Sequence, residues 1–160
     1  VEGRFYLEDE STGDLTQLGV EGIEGNGLTV ENSIVFGVGD ANSAGIVHGD
    51  LPIIRNNIFH NLQASSLYRD AFGNPQSFTA AALNAEQNIL IGAADNSELD
   101  PLLAAAVSLQ EATADWRLTA GSPAKAREGG YDLSEAGVAP LDVAGTSRTA
   151  PWSIGAYEYD

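Results

Sequence analysis

Short apolar runs separated by glycine and asparagine set the pattern of this chain. Three stretches are versions of one another: Glu31-Asn32-Ser33-Ile34-Val35-Phe36, Arg55-Asn56-Asn57-Ile58-Phe59-His60 and Glu86-Gln87-Asn88-Ile89-Leu90-Ile91. Aligned on isoleucine, the second follows the first by 24 residues and the third follows the second by 31. A repeat of this length with such short strands predicts stacked coils. In a parallel solenoid, equivalent positions of successive coils lie about 4.8 Å apart. Ile34, Ile58 and Ile89 are therefore expected to form an inward apolar ladder. Ser33, Asn57 and Asn88 form a polar row beside it, at a turn. Asparagine suits that place because it tolerates the left-handed conformation and its amide can pair with the next coil. The pattern predicts an all-β fold, a parallel solenoid with few coils, in one domain spanning 1–160. An N-terminal strand and the coils fill 1–99, and a closing cap fills 100–160.

The longer second interval leaves room for a loop near Tyr68–Ser77, where Gly73-Asn74-Pro75 reads as a turn. Near the start, Val1, Gly3, Phe5 and Tyr6-Leu7 suggest a strand, followed by the acidic turn Glu8–Asp14. That strand reads as a first coil with a solvated loop; the sharper alternative is an edge strand that pairs with another chain. Leu102–Glu111 is rich in alanine and leucine and reads either as a short helix or as irregular cap.

Composition narrows the setting. The chain has 160 residues, enough for one buried core. Its 23 acids against 7 bases give a net charge of -16. A surface of that kind argues against nucleic acid, which needs clustered cations, and against anionic membranes. It permits calcium. The longest apolar runs, Leu90–Ala94 and Leu102–Val107, are too short to cross a bilayer. No cysteine occurs, so disulfides, zinc–thiolate sites and thiol nucleophiles are excluded. These features fit a bacterial extracellular or cell-surface protein. The chain opens at Val1, which fits a processed product or a fragment.

The last third carries four motifs in order: Asp100-Pro101-Leu102-Leu103, Asp115-Trp116-Arg117-Leu118-Thr119-Ala120-Gly121-Ser122-Pro123-Ala124, Asp142-Val143-Ala144-Gly145-Thr146-Ser147-Arg148, and Ile154-Gly155-Ala156-Tyr157-Glu158-Tyr159. This series resembles the closing region of bacterial right-handed parallel β-helix proteins of the pectate-lyase-like superfamily. The resemblance implies a right-handed parallel β-helix whose C-terminal cap is built from Gly121, Ser122, Pro123, Ile154, Gly155 and Tyr157. Two places depart from that pattern. Lys125-Ala126-Arg127-Glu128-Gly129 stands where an apolar residue, Asp, Ala and Gly usually follow, and Ser153 stands where Asp is common. The motifs also read physically. Pro123 holds Ser122 extended, Asp142 and Arg148 are placed to pair across a Gly145 turn, and the apolar residues of the last motif are placed to close an open core.

No catalytic or cofactor-binding residue stands out. Arg55 and Arg69, with Asp50 and Asp70 nearby, could line a lyase-like groove, but surface ion pairs explain them more simply. His48 and His60 have no metal-ligand spacing. Calcium is the best metal candidate, on the oxygen donors of Asp95, Asn96, Glu98 and Asp100, although an ordinary polar loop explains these residues more simply. Tyr68, Phe72, Trp116 and Trp152 offer a stacking face to a sugar or pack the coils and cap. The expected role is a structural or assembly module with an open N-terminal face, possible self-association head-to-tail into a filament, and no membrane insertion. The alternatives are a polysaccharide lyase- or hydrolase-like enzyme and a non-catalytic glycan-binding part of one.

Overall fold

A computed structural model describes residues 3–8, 15–25, 29–36, 44–48, 53–60, 66–70, 76–77, 79–86, 93–104, 115–138 and 140–159. They are mostly strand with little helix, arranged in small sheets, and among the described residues no barrel closes. The strands are β1 Gly3–Glu8, β2 Leu15–Gly25, β3 Thr29–Glu31, β4 Ile34–Phe36, β5 Ala44–His48, β6 Ile53–Arg55, β7 Ile58–His60, β8 Ser66–Asp70, β9 Gln76–Ser77 and β10 Ser97–Glu98. The helices are α1 Ala80–Ala85 and α2 Ala124–Glu128.

Three rows of parallel pairs run through the molecule. The first is β2–β5–β8, the second β3–β6 and the third β4–β7–β10. Residues 29–36, 53–60 and 93–99 therefore form three equivalent tiers. Ile34 lies beside Ile58 in register, as the repeat predicts. On the other side of Ile58 the neighbour is Ser97. Ile89 and Asn88 lie outside the described residues, and the rung expected for Ile89 is taken eight residues further on, as Ala94 pairs with Arg55 and Ser97 with Ile58.

Every tier turns the same corner. Asn32, Asn56 and Asp95 hold equivalent positions with φ of 49°, 56° and 56°. Asparagine and aspartate accept this left-handed region more readily than other residues with a side chain. The next residue closes the corner of the tier before it. Asn57 Oδ1 accepts from Ser33 N–H at 3.0 Å and its Nδ2 donates to the Val30 carbonyl at 2.9 Å. Asn96 repeats the pattern, accepting from Asn57 N–H at 3.2 Å and donating to the Ile54 carbonyl at 2.9 Å. Asn84 of α1 ends the row, with Oδ1 accepting from Asn96 N–H at 3.0 Å and Nδ2 donating to the Asn96 carbonyl at 2.9 Å.

The core lies inside the tiers. Val30, Val35, Ile46, Ile54, Phe59, Tyr68 and Ala93 are buried together. Strand alternation then turns Ile34 and Ile58 the other way. They belong to a second cluster with Leu118, Ala126 and Ile154. The isoleucine ladder is thus an outer one, covered by the C-terminal region, and Val35–Phe59 is the inner one. The expected division of labour shifts with it. Residues 115–159 cover the side of the tiers, while α1 closes the core with Ala80 and Leu83. Thr79 caps α1 through Ala82 N–H, and Glu98 accepts from Ala80 N–H at 2.8 Å.

The sheet edges also depart from an open stack. β1 pairs antiparallel with β2 inside the chain, and β9 pairs antiparallel with β8. Leu103 forms an isolated antiparallel bridge with Leu118, and residues 105–111 of the alanine- and leucine-rich stretch lie outside the described residues.

The Asn57 and Asn96 side chains are buried, so the row is energetically exposed to substitution. Asn57→Ala leaves Ser33 N–H and the Val30 carbonyl without their partner. At about 1–3 kcal/mol for each orphan, a loss of about 2–6 kcal/mol in urea unfolding is expected. An unchanged midpoint would contradict the corner role.

Candidate functional site

The side chains that precede the closing row face outward and hold the C-terminal region. Asn32 Nδ2 donates to the Tyr131 carbonyl at 2.7 Å, and its Oδ1 accepts from Tyr131 N–H at 2.9 Å. Asn56 Nδ2 donates to Asn32 Oδ1 at 2.8 Å and to the Gly129 carbonyl at 2.6 Å, while Lys125 Nζ donates to Asn56 Oδ1. On the third tier, Asp95 accepts from the Tyr131 hydroxyl. Residues 125–131 therefore cross all three tiers. This explains the unusual Lys125–Gly129 segment. Lys125 reaches the corner, Ala126 is buried, and a Cβ at Gly129 would lie 2.3 Å from the Lys125 carbonyl oxygen.

The other motifs interlock behind this contact. Ser122 Oγ accepts from Thr119 N–H at 2.9 Å and donates to the Leu102 carbonyl at 3.1 Å. Pro123 begins α2, its carbonyl accepting from Ala126 N–H at 2.9 Å. Gly121 is exposed in the turn before it. Ser153 Oγ donates to the Arg127 carbonyl at 2.8 Å and accepts from Tyr159 N–H at 2.9 Å. An ionised aspartate at 153 could accept but not donate, which gives Ser153 a reason of its own. Ile154 N–H donates to Ala126 and Gly155 N–H to Asn32, both at 2.8 Å. Tyr157 is half-buried.

The expected Asp142–Arg148 pair is replaced by two separate contacts. Asp142 accepts from Ala144 and Thr146 N–H at 2.8 and 2.7 Å and from Glu158 N–H at 3.1 Å, around Gly145 at φ 84°. Arg148 donates to the Ser153 and Gly155 carbonyls at 3.0 and 2.8 Å, and its carboxylate partner is Glu158 at 3.4 Å. A closing contact at Glu158 is nearer in space than the sequence separation suggests, because residues 148–158 fold back on themselves.

Candidate chemistry disperses on this frame. Asp95 binds Tyr131, Asn96 lies in the buried row, Glu98 caps α1, and Asp100 accepts from Leu102 N–H at 2.8 Å beside His60 at 3.6 Å. The four calcium candidates are thus aimed at different partners, and among the described residues no group of three acids or histidines could hold a metal. Arg55 pairs with Glu31 and lies over the Tyr131 ring at 5.5 Å. Burial, then the bond to Asp95, pushes the Tyr131 hydroxyl up to about 12, so it stays a donor at neutral pH. Asp50 and Phe72 lie outside the described residues, as do the side chains of His48, Arg69 and Asp70. Tyr68 is fully buried in the core.

One groove opens between the first tier and the C-terminal region. Its volume is about 590 Å³, and its apolar wall comes from Ile34, Leu103, Trp116, Leu133, Val138 and Leu141. Glu31 and Arg148 are its charged residues, and each already has an ion-pair partner. Sequence reasoning named Trp116 and Trp152 but missed the groove, because the C-terminal residues that line it lie far along the chain from Glu31, Asn32, Ser33 and Ile34.

Burial raises the Asp142 carboxyl, but backbone donors from Thr146, Glu158 and Ala144, with Arg148 nearby, outweigh it and leave the group below the ordinary range. The native state therefore holds this proton less readily than the unfolded chain. The stabilisation is complete above the unfolded value of about 3.9 and is lost as pH falls through the depressed native value. Asp142→Asn is expected to unfold at lower urea than wild type at neutral pH, with the gap closing as pH falls below about 4 and through the depressed native value. A gap independent of pH would contradict it.

Comparison with protein-family models, with curated proteins and with solved structures gives no match.

Proposed function

We propose that this chain is a structural module of a bacterial cell-surface or secreted protein, the end of a right-handed parallel β-helix locked by a lateral clamp. In this reading the three tiers are coils, and residues 125–131 clamp their corners. The parallel register of residues 29–36, 53–60 and 93–99, with the same left-handed corner in each, supports the coil reading. The motif order in the last third supports the pectate-lyase-like type.

One observation carries the structural role. The polar side chains of the corners and of the C-terminal motifs are engaged with main-chain groups and with one another. A catalytic site needs acids and bases directed at a substrate, and Arg55, one of the two lyase candidates, is held by Glu31 and Tyr131. Head-to-tail polymerisation has less support than a single locked module. A heterologous stack needs two complementary ends, and α1 with Asn84 occupies one of them.

The test couples proteolysis to activity. Ile154→Ala removes a buried side chain from the clamp; at about 2–5 kcal/mol for such a truncation, protease resistance is expected to fall at least tenfold. Polygalacturonate and other acidic glycans, with and without calcium, are expected to remain intact. Turnover that disappears in Arg55→Ala would overturn the structural reading in favour of an enzyme.

A further inference from the structure

The first tier differs from the two that follow it. Asn57 and Asn96 each reach back to close the preceding corner. Ser33 holds the same position in the first tier, yet its hydroxyl donates to the Glu31 carbonyl of its own corner at 3.0 Å. The strand edge beside it has a definite polarity. Ile58 N–H donates to the Ser33 carbonyl at 2.9 Å, so Ser33 faces β7. In a parallel ladder the main-chain groups alternate in direction. Ile34 N–H and C=O therefore point away from β7. Glu31, Asn32, Ser33 and Ile34 all line the groove, and no residue of the second or third tier does. Among the described residues β4 ends its sheet, and of the three tiers only the first lines the groove.

We propose that this groove is a strand-acceptor site for an extended polypeptide that pairs in parallel with Ile34. The strand carries a basic residue level with Glu31 and an apolar residue level with Ile34. The proposal rests on the coil reading above. Three features select a polypeptide. Among the described residues no strand pairs with this side of Ile34, whose N–H and C=O offer a donor and an acceptor at strand spacing. The surface continues the existing tier-to-tier interface, in which Glu31 already pairs with Arg55 of the next tier. A second cation on the opposite side would flank the same carboxylate, on a chain of net charge -16. The opposite wall is apolar and accessible, with Trp116 39%, Val138 46% and Leu141 52% exposed. A volume of about 590 Å³ holds several side chains. A sugar would ask for more polar groups than this apolar wall supplies, and Arg148 is committed to the Ser153 and Gly155 carbonyls and to Glu158.

The probe is a fluorescent peptide with the sequence of residues 53–60, Ile-Ile-Arg-Asn-Asn-Ile-Phe-His, titrated with the whole chain. Saturable binding is expected, weakened at least tenfold by Leu141→Arg or Val138→Arg and by exchanging the peptide's arginine for glutamate. Ser33→Asn is expected to tighten binding severalfold, because its amide would close the docked corner as Asn57 closes the first. Circular dichroism of each variant confirms folding. No saturable binding at millimolar peptide, or binding indifferent to all four changes, would overturn the proposal. So would glycan-array binding lost in Trp116→Ala, which would assign the groove to a sugar. If the peptide fails while Asn57→Ala still destabilises the chain, only the acceptor site falls. If Asn57→Ala is silent as well, the coil reading falls with it.

Discussion

A residue in the left-handed region turns the chain sharply and leaves the main-chain groups around the corner without a sheet partner. Here a buried asparagine amide supplies that partner, tier after tier. One oxygen and one nitrogen match one N–H and one C=O, so the side chain mimics the backbone it replaces. Unpaired, those groups would each cost about 1–3 kcal/mol in the interior. The closing row fixes the register of β4, β7 and β10, and register in turn fixes which residues face the core. A slip of one residue would exchange the inner ladder, Val35–Phe59, with the outer one, Ile34–Ile58.

The outer corner residues connect this scaffold to the rest of the chain. Asn32, Asn56 and Asp95 present their side chains to residues 125–131 because the left-handed turn aims them away from the core. The lateral cover then buries Ile34 and Ile58, which would otherwise form an exposed apolar stripe. The buried Arg148–Glu158 pair and the Asp142 turn hold the cover in one shape. Stack and cover are therefore interdependent, each burying what the other leaves exposed.

Much of this was legible in the sequence. The first repeat interval, the polar row and the all-β character follow from the Ile34 and Ile58 segments. The third tier was not legible, because Ala94-Asp95-Asn96-Ser97 keeps the corner residues but replaces isoleucine with serine, while Gln87-Asn88-Ile89 preserves the isoleucine. The corner, not the ladder, is the invariant physical requirement. Inward and outward faces could not be told apart in a three-residue strand with two adjacent apolar residues, Ile34 and Val35. Helix α1 had a signal, the alanine-rich run after Thr79, but its place beside Asn96 is a tertiary fact. The groove combines residues from distant segments, and no local pattern marks it.

Amide hydrogen exchange on Ser33, Asn57 and Asn96 puts the corner mechanism to the test. Each N–H donates to the asparagine of the following rung, and the last to Asn84. All three are expected to exchange only through global unfolding, with Asn57→Ala selectively releasing Ser33. Rapid exchange of Asn57 or Asn96 in the native chain, or protection of Ser33 that survives Asn57→Ala, would show that something other than the asparagine row holds the tiers together.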